Sequence, residues 1–577
     1  RQGASILVVE YQAGLGGTGT LGMIGRPYHG RKAGFSREVP FPGGDFTIAD
    51  KMEWYRQEIR KVDGDIWFRT LGGGVYVKDG QVRGAVVATP QGRGVVRAEV
   101  VIDSTGNADI AAAAGAETIY GASEDGRIAM QGAGLPKRPL RKNYVNTDYL
   151  FVDESDMMDV WSTLVGARSG MKGGPFDAGP LLQTRERRRI VGEHVLRYLD
   201  QIAGRTYPDS VVYSGSDYDS HGYPNEPYFA LIPHTEKSNR ANHPAPGGEC
   251  YTPYRCLLPK GVEGMLVTGL GISMERDATA MVRMQHDIAN QGYAAGIAAA
   301  MALREDTIPR EIDVDALQQH LAEVGNLPED ALKHKDSFPL PESRVAEAVE
   351  RMASKKRNRA CRALAIVMSH REAALPYVRE AYEDAEGHTR LRYAKLLGFW
   401  GDRRVVPDLI EALENSEWDK KILQGRMAEY AHLPTPVDAL VLALGHAKHT
   451  RALPVIFEKM ESLDSSSTLS HHRAVALALE RIGDPAAGEP LARLLQKPGM
   501  SGHVMTKPET LHRTRGKRKR EGALREIVLA RALYRCGDHE NRGERILNQY
   551  TEDLRGLLAR HAAHVLKRSG DCDASRR

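Results

Sequence analysis

SILVVEYQAGLGGTGTLG, residues 5–22, is an apolar run closed by an acid and followed by a glycine-rich loop, and its reading decides the fold. Four consecutive aliphatic residues, Ile6 to Val9, suit a parallel strand covered on both faces better than a half-exposed one. The strand stops at Glu10. A carboxylate at the carboxyl end of such a strand sits in the crevice where dinucleotides bind and can accept ribose hydroxyl protons. Gly14, Gly16 and Gly19 spell a literal GxGxxG. In a primary phosphate-binding turn, however, the first glycine follows the strand directly and the acid comes about 20 residues later. Here the acid comes first, and Gly22, Gly25 and Pro27 leave no room for a long helix. Ser5–Glu10 is therefore expected to be the second strand of a dinucleotide-binding unit. Arg1-Gln2-Gly3 reads as the end of a helix with its terminating glycine, so the first strand and its glycine turn are expected upstream of Arg1.

The 577 residues allow three or four domains at about 150 each. Lys plus Arg is 79 against 75 for Asp plus Glu, so charge gives no general attraction to nucleic acid or to an anionic membrane. No apolar run approaches the ~18 residues of a membrane span, and a soluble chain is expected. The compartment is not read from a chain that opens on Arg1. Cys250, Cys256, Cys361, Cys536 and Cys572 are scattered and form neither a disulfide framework nor a CxxC. No metal centre is assigned.

Met23–Gly44 is too rich in Gly and Pro for regular structure, and a long irregular segment in a compact domain is usually functional or disordered. His29, Arg31 and Lys32 give it a cationic, proton-transferring character. Lys51–Val62 has helical spacing. Asp65–Val77, Val82–Thr89 and Val95–Val101 read as strands, with a hairpin turn at Asp79-Gly80. Glu99–Glu117, EVVIDSTGNADIAAAAGAE, is a strand, a Ser104-Thr105-Gly106 corner and an alanine-rich helix, with Asn107 and Asp109 expected to cap it. Leu181–Leu196, LLQTRERRRIVGEHVL, reads as a helix whose Arg185, Glu186, Arg188 and Arg189 can pair at i,i+3 and i,i+4. Asp217, Asp219 and His221 are read as a turn held by Asp side chains in preference to a metal site. After the strand MLVTG, which ends at Gly269, a helix carries Ala289, Gly292, Ala295, Gly296 and Ala299 at steps of three and four. Such a stripe lets a helix lie close to a strand or ligand, with its positive amino-terminal dipole aimed at that neighbour.

Taken in order, Glu10 with LGGTGTLG, the STG corner and GMLVTGLGIS with its small-residue helix resemble the FAD-dependent oxidoreductase family. This belongs to the two-dinucleotide-binding-domain, glutathione-reductase-like class and is related to the flavin domain of the heterodisulfide reductase large subunit. The resemblance covers roughly residues 1–340. It implies a Rossmann-like α/β domain holding FAD non-covalently, with Glu10 on the adenosine ribose. Gly16, Gly17, Thr18, Thr20, Thr105, Gly106, Gly269, Gly292, Ala295 and Gly296 would line the cofactor. The family often has Arg where this chain has Leu270, so that Arg has no counterpart. The implied activity is hydride transfer between a small substrate and the flavin, and a xanthan lyase label on some relatives points toward carbohydrate. His29 or His221 would serve as base, and Arg31 or Arg276 would hold an anionic substrate or the reduced flavin. Without the upstream turn the pyrophosphate would lose its helix amino terminus, and weak or absent FAD binding would be expected.

Beyond Pro341, apolar helices alternate with Gly-Asp or Gly-polar turns, from Leu391, Ala439, Ala474 and Glu526. These echoes resemble HEAT repeats, whose period is about 40 residues. Units of this kind stack into a solenoid that binds a partner or packs back on the rest of the chain. The basic run Arg513–Arg520 reads as a solvated insertion rather than a nucleic-acid site. The expected architecture is a discontinuous FAD-binding domain at 1–120 and 250–340, an inserted α+β substrate domain at 121–249, and an all-α HEAT-like solenoid at 341–577. The competing readings are a HEAT-repeat interaction protein with a structural or vestigial flavin domain, and a NAD-dependent dehydrogenase with a single nucleotide site.

Overall fold

The computed structural model describes residues 2–22, 24–25, 27, 29–121, 132–135, 147–150, 156–158, 160–161, 187–218, 226–232, 247–419, 434–507 and 518–574. Strand β1 (Leu7–Glu10) pairs in parallel with β2 (Asp65–Phe68), Leu7 opposite Asp65. Helix α1 (Ile48–Arg60) connects them and opens on a capping box: Thr47 Oγ1 accepts from Asp50 N at 3.2 Å, and the Asp50 carboxylate accepts from Thr47 N at 2.7 Å.

The expected strand Asp65–Val77 is two strands. Arg69, at φ 52°, turns the chain out of the parallel ladder into an antiparallel meander of β3 (Leu71–Lys78), β4 (Gln81–Thr89) and β5 (Gly92–Arg97). Asp79 and Gly80 form its first turn with φ of 53° and 76°, the pair of positive values a two-residue hairpin favours.

Strand β6 (Val101–Asp103) leads into α2 (Asp109–Ala113). Next come β7 (Thr118–Ile119), β8 (Gly132–Leu135), β9 (Thr147–Leu150), β10 (Arg189–Ile190), α3 (Tyr198–Ala203), β11 (Ser210–Ser216) and β12 (Gly248–Pro253). The ladders β7–β10, β8–β9 and β11–β12 are antiparallel. The expected arginine-rich helix is extended where it is described, since Arg189–Ile190 is a strand and not a helical turn. Its first residues, including Arg185 and Glu186, lie outside the described residues.

Strand β13 (Met265–Val267) returns to pair in parallel with β6, Met265 opposite Val101. Helices α4 (Thr279–Val282), α5 (Gln285–Arg304) and α6 (Val314–Glu323) complete this part. Among the described residues the parallel strands form two separate ladders, β1–β2 and β6–β13.

The rest is helical. Helices α7 (Glu342–Arg351), α8 (Arg357–Ser369) and α9 (Arg371–Asp384) lead into the pairs α10 (Gly387–Phe399) with α11 (Val406–Glu414) and α12 (Pro436–Ala447) with α13 (Leu453–Glu461). Then come α14 (Leu469–Ile482) with α15 (Gly488–Gln496), α16 (Arg518–Arg535) with α17 (Arg542–Thr551), and α18 (Gly556–Ala574). The Gly-Asp echoes have a local cause. At each short turn a side chain caps the next backbone amides: Asp402 accepts from Arg404 N at 3.1 Å, and Asp484 accepts from Ala486 N at 2.9 Å. His449 Nδ1 takes the same place, accepting from Arg451 N at 3.2 Å. Helices α12 and α14 touch at backbone distance, since a Cβ on Gly445 would lie 2.4 Å from Ala478 Cα.

One apolar core runs from Leu196 to Val565 without a break at residue 341. The turn Pro227–Leu231 packs against α10 and α12. The helical array therefore lies back on the rest of the chain. A second, small core of Val82, Ala108, Ile110, Ala111, Ala116, Ile190, Met265 and Val267 backs the β6–β13 ladder. Cys250, Cys256, Cys361 and Cys536 are buried free thiols. Among the described residues no helix is long and apolar enough to cross a membrane, and no group of His, Cys, Asp and Glu has the makings of a metal site.

Candidate functional site

The glycine loop closes on itself. Gly16 and Gly17 take φ of 97° and 49°, and Gly19 N and Thr20 N donate back to the carbonyls of Gly16 and Gly17. Thr20 is fully buried and its hydroxyl donates to Leu15 O at 2.5 Å, so this side chain holds the loop from within. The underside of the loop rests on α1 and on the start of α5. A Cβ on Gly14 would meet Met52 Sδ at 2.7 Å, on Gly16 the Tyr55 ring at 2.8 Å, and on Gly19 Gln285 Oε1 at 2.6 Å and Lys51 Nζ at 3.0 Å. The loop thus lies in side-chain contact with its support. Glu10, half-buried at the strand end, accepts from Gln12 N at 2.8 Å, and burial raises its carboxyl above the usual range.

Asp103 organises the second segment. Its carboxylate accepts four bonds, from Thr105 N (3.0 Å), Thr105 Oγ1 (2.7 Å), Ile110 N (2.9 Å) and Ala111 N (2.9 Å). It thereby fixes the Thr105–Gly106 corner and satisfies the first amides of α2. The expected caps act otherwise: Asn107 Nδ2 donates to Asp109 Oδ1 at 3.0 Å, and Asn107 Oδ1 accepts from Arg188 N at 3.0 Å. Arg188 also reaches the Asp109 carboxylate, at 2.5 Å. Arg189, 2% exposed, donates to Met274 O at 2.9 Å and Gly121 O at 2.8 Å. The arginine-rich run thus braces the corner.

The third segment meets the other two along α5. Ser104 and Thr268 hydroxyls share a 2.9 Å bond across the β6–β13 ladder. Gly269 has φ 75°, a Cβ there would be 4.0 Å from Gly106 Cα, and its amide donates to Gln291 Oε1 of α5 at 2.5 Å. The glycine loop touches that helix at Gln285, and the β6–β13 corner touches it at Gln291. Cβ atoms built on Gly17, Gly106, Gly292 and Gly296 meet nothing within 4 Å. These glycines leave room beside the three segments, with Gly292 and Gly296 exposed. Ala295 instead faces the core with no exposure.

The basic loop seats on the β11–β12 pair and on the first turn of α5. His29 Nε2 lies 3.0 Å from Asp217 Oδ2, and Gly30 N donates to Gly215 O at 2.9 Å. Arg31 N donates to Asp287 Oδ1 at 2.8 Å, while its guanidinium pairs with Glu249 at 3.0 Å and lies 4.1 Å over the Tyr213 ring. Burial pushes the Asp287 carboxyl up to about 7, in the range useful for proton exchange at neutral pH. Asp219 and His221 lie outside the described residues. Arg276 is buried beside Asp277, whose carboxylate accepts from Tyr218 Oη at 2.7 Å and Glu226 N at 3.0 Å, in a cluster where Arg473 of α14 also acts on it. Lys51, Asp103, Gln285, Asp287 and Gln291 were not singled out from the sequence. Their signal there is faint: polar residues within otherwise packed helices, and one acid closing a strand as Glu10 does.

Residues 1–162 and 159–321 match the family described as FAD dependent oxidoreductase, and residues 472–497 match the PBS lyase HEAT-like repeat. Among solved structures, the chain is similar to the complex of CpcE and CpcF of phycocyanin lyase from Nostoc sp. PCC7120. That likeness is 19% identical, covers 37% of this chain and 74% of that one, and has a TM-score of 0.24. It is also similar to a geranylgeranyl bacteriochlorophyll reductase-like protein from Thermoplasma acidophilum, at 13% identity over 58% of this chain and 73% of that one, with a TM-score of 0.23. No curated protein matches the chain.

Proposed function

Because the chain belongs to the FAD dependent oxidoreductase family, we propose that it binds FAD non-covalently where the glycine loop, the Thr105–Gly106 corner and α5 meet, and that it oxidises or reduces a small substrate there. The supporting observation is the convergence of three distant segments on one helix, through Gly19 against Gln285 and Gly269 against Gln291. The residues present suit the cofactor: glycine faces open onto free space, and Glu10 closes a parallel strand. Gly16, Gly17, Thr18, Gly106, Gly269, Gly292 and Gly296 would hold it. Bound FAD would supply hydride chemistry at the isoalloxazine N5.

The chain's own part is to orient a substrate and move a proton. His29, held by Asp217, is the base in this reading, and the buried Asp287 backs the same loop. The Asp217 and Glu249 carboxylates are taken up by His29, Arg31 and Tyr213 and hold the loop, so a carbohydrate-related substrate rests on the family resemblance. Arg31 is already engaged by Glu249 and Tyr213 and contributes by holding the loop.

In the flavin-loaded, natural full-length protein, sugars and polyols can be screened anaerobically for bleaching of the flavin absorbance. His29→Ala is expected to slow bleaching by the active compound about 10²–10⁴-fold, the usual worth of a general base, while dithionite still bleaches it. Equal rates in both proteins would remove His29 from the mechanism.

A further inference from the structure

Lys51 is the fourth residue of α1 and is 1% exposed. Its Nζ donates to Gln285 Oε1 at 3.1 Å and stands 4.2 Å from the centroid of the Phe41 ring. The ammonium lies directly under the glycine loop, 3.0 Å from the Cβ position of Gly19. An ammonium carries three donors. Among the described residues Lys51 is met by one neutral amide oxygen and one ring face, with no carboxylate beside it. A buried charge without a counter-charge is costly.

The helix geometry adds positive potential. Gln285 is the first residue of α5, so the amino-terminal turns of two long helices, α1 and α5, converge beneath the loop. His286 packs its ring 4.7 Å from that of Phe41, and its Nδ1 is buried without a hydrogen-bond partner. Burial, with Lys32 and Lys51 nearby, lowers the imidazole to about 4, so it stays neutral beside the ammonium.

We infer that Lys51 holds an anionic group of the bound dinucleotide through the glycine loop, a cofactor-binding role beyond that of the loop backbone. The inference rests on the flavin reading. Two parts of FAD offer the required negative charge: the pyrophosphate in either redox state, and the pyrimidine edge of the isoalloxazine once reduced.

The test uses natural full-length protein with Lys51→Met and Lys51→Arg variants, titrated with oxidised FAD, with ADP and, anaerobically, with reduced FAD. K51M is expected to lose at least about tenfold in affinity, and K51R, which keeps the charge, is expected to stay near wild type. A loss confined to reduced flavin lowers the midpoint potential by about 30 mV per tenfold and assigns Lys51 to the isoalloxazine. An equal loss for oxidised FAD, reduced FAD and ADP assigns it to the pyrophosphate. The flavin-free K51M protein should melt no lower than wild type, because an uncompensated charge has been removed. Unchanged affinities in K51M overturn the inference and leave the flavin reading intact. A lowered apo melting temperature with flavin lost from both variants makes Lys51 a structural residue and also overturns it. A wild-type protein that takes up no flavin overturns both.

Discussion

Asp103→Ala is expected to open the β6–α2 corner and to cost about 3–5 kcal/mol locally, because a buried carboxylate serves four donors at once. Two of those donors, Ile110 N and Ala111 N, are amides at the buried start of α2, and Asp103 itself is 1% exposed. An alanine leaves them unsatisfied and water does not easily replace the acceptor. Asp103→Asn keeps the shape but exchanges one acceptor oxygen for a donor, and should cost less, about 1–2 kcal/mol. A chain of this size does not unfold in one step, so the effect is best read locally. Native-state hydrogen exchange over residues 104–116 should speed up about 10²–10⁴-fold in D103A, with little change in the helical array. Unaltered protection there would mean that the corner is held by something other than this side chain.

Gly106→Val carries the second large effect, on the cofactor. Gly106 sits at φ 74° with open space where a Cβ would project, facing Gly269. Valine and alanine share the backbone strain of a positive φ, about 1–2 kcal/mol. They differ in how far they reach into that space. If FAD lies against this corner, two extra methyls overpack it by about 1–3 kcal/mol, so G106V should weaken FAD up to about 100-fold relative to G106A. Fluorescence titration of the two variants in natural full-length protein measures the ratio. Equal affinities would place the cofactor away from Gly106.

Much of this arrangement was legible in the sequence. The aliphatic run before Glu10, the Asp79-Gly80 turn, the β6 corner and the small-residue helix are each encoded by short-range patterns, and each lies where the pattern puts it. The Gly-Asp punctuation of the helical array is equally local, since an Asp caps the amides that follow it. What was not legible depends on partners distant in sequence. Arg188 and Arg189 read as a helical ion-pair run because their spacing suits one. The actual partners, Asp109, Asn107, Met274 and Gly121, lie 68 or more residues away and draw the segment into an extended strand.

The same holds for the site. Thr20 looks like a ligand-facing hydroxyl in GGTGT but turns inward to Leu15. The stripe at 292, 295 and 296 divides, with the glycines facing open space and Ala295 facing the core, because steps of three and four straddle the helix edge. Asp287 and Lys51 gain their character only from burial, which places one carboxyl near 7 and lowers one ammonium to about 8. The boundary at 341 follows a real change in composition, but the apolar core passes through it. The array accordingly supports the turn Pro227–Leu231, which packs on α10 and α12.

The most direct measurement is of what the natural full-length protein carries. Heat-denatured protein, freed of aggregate, should release a yellow compound with the mass of FAD at about one equivalent per chain. Release of a nicotinamide dinucleotide alone, or of no nucleotide from well-folded protein that also refuses added FAD, would contradict a flavin site built from these three segments.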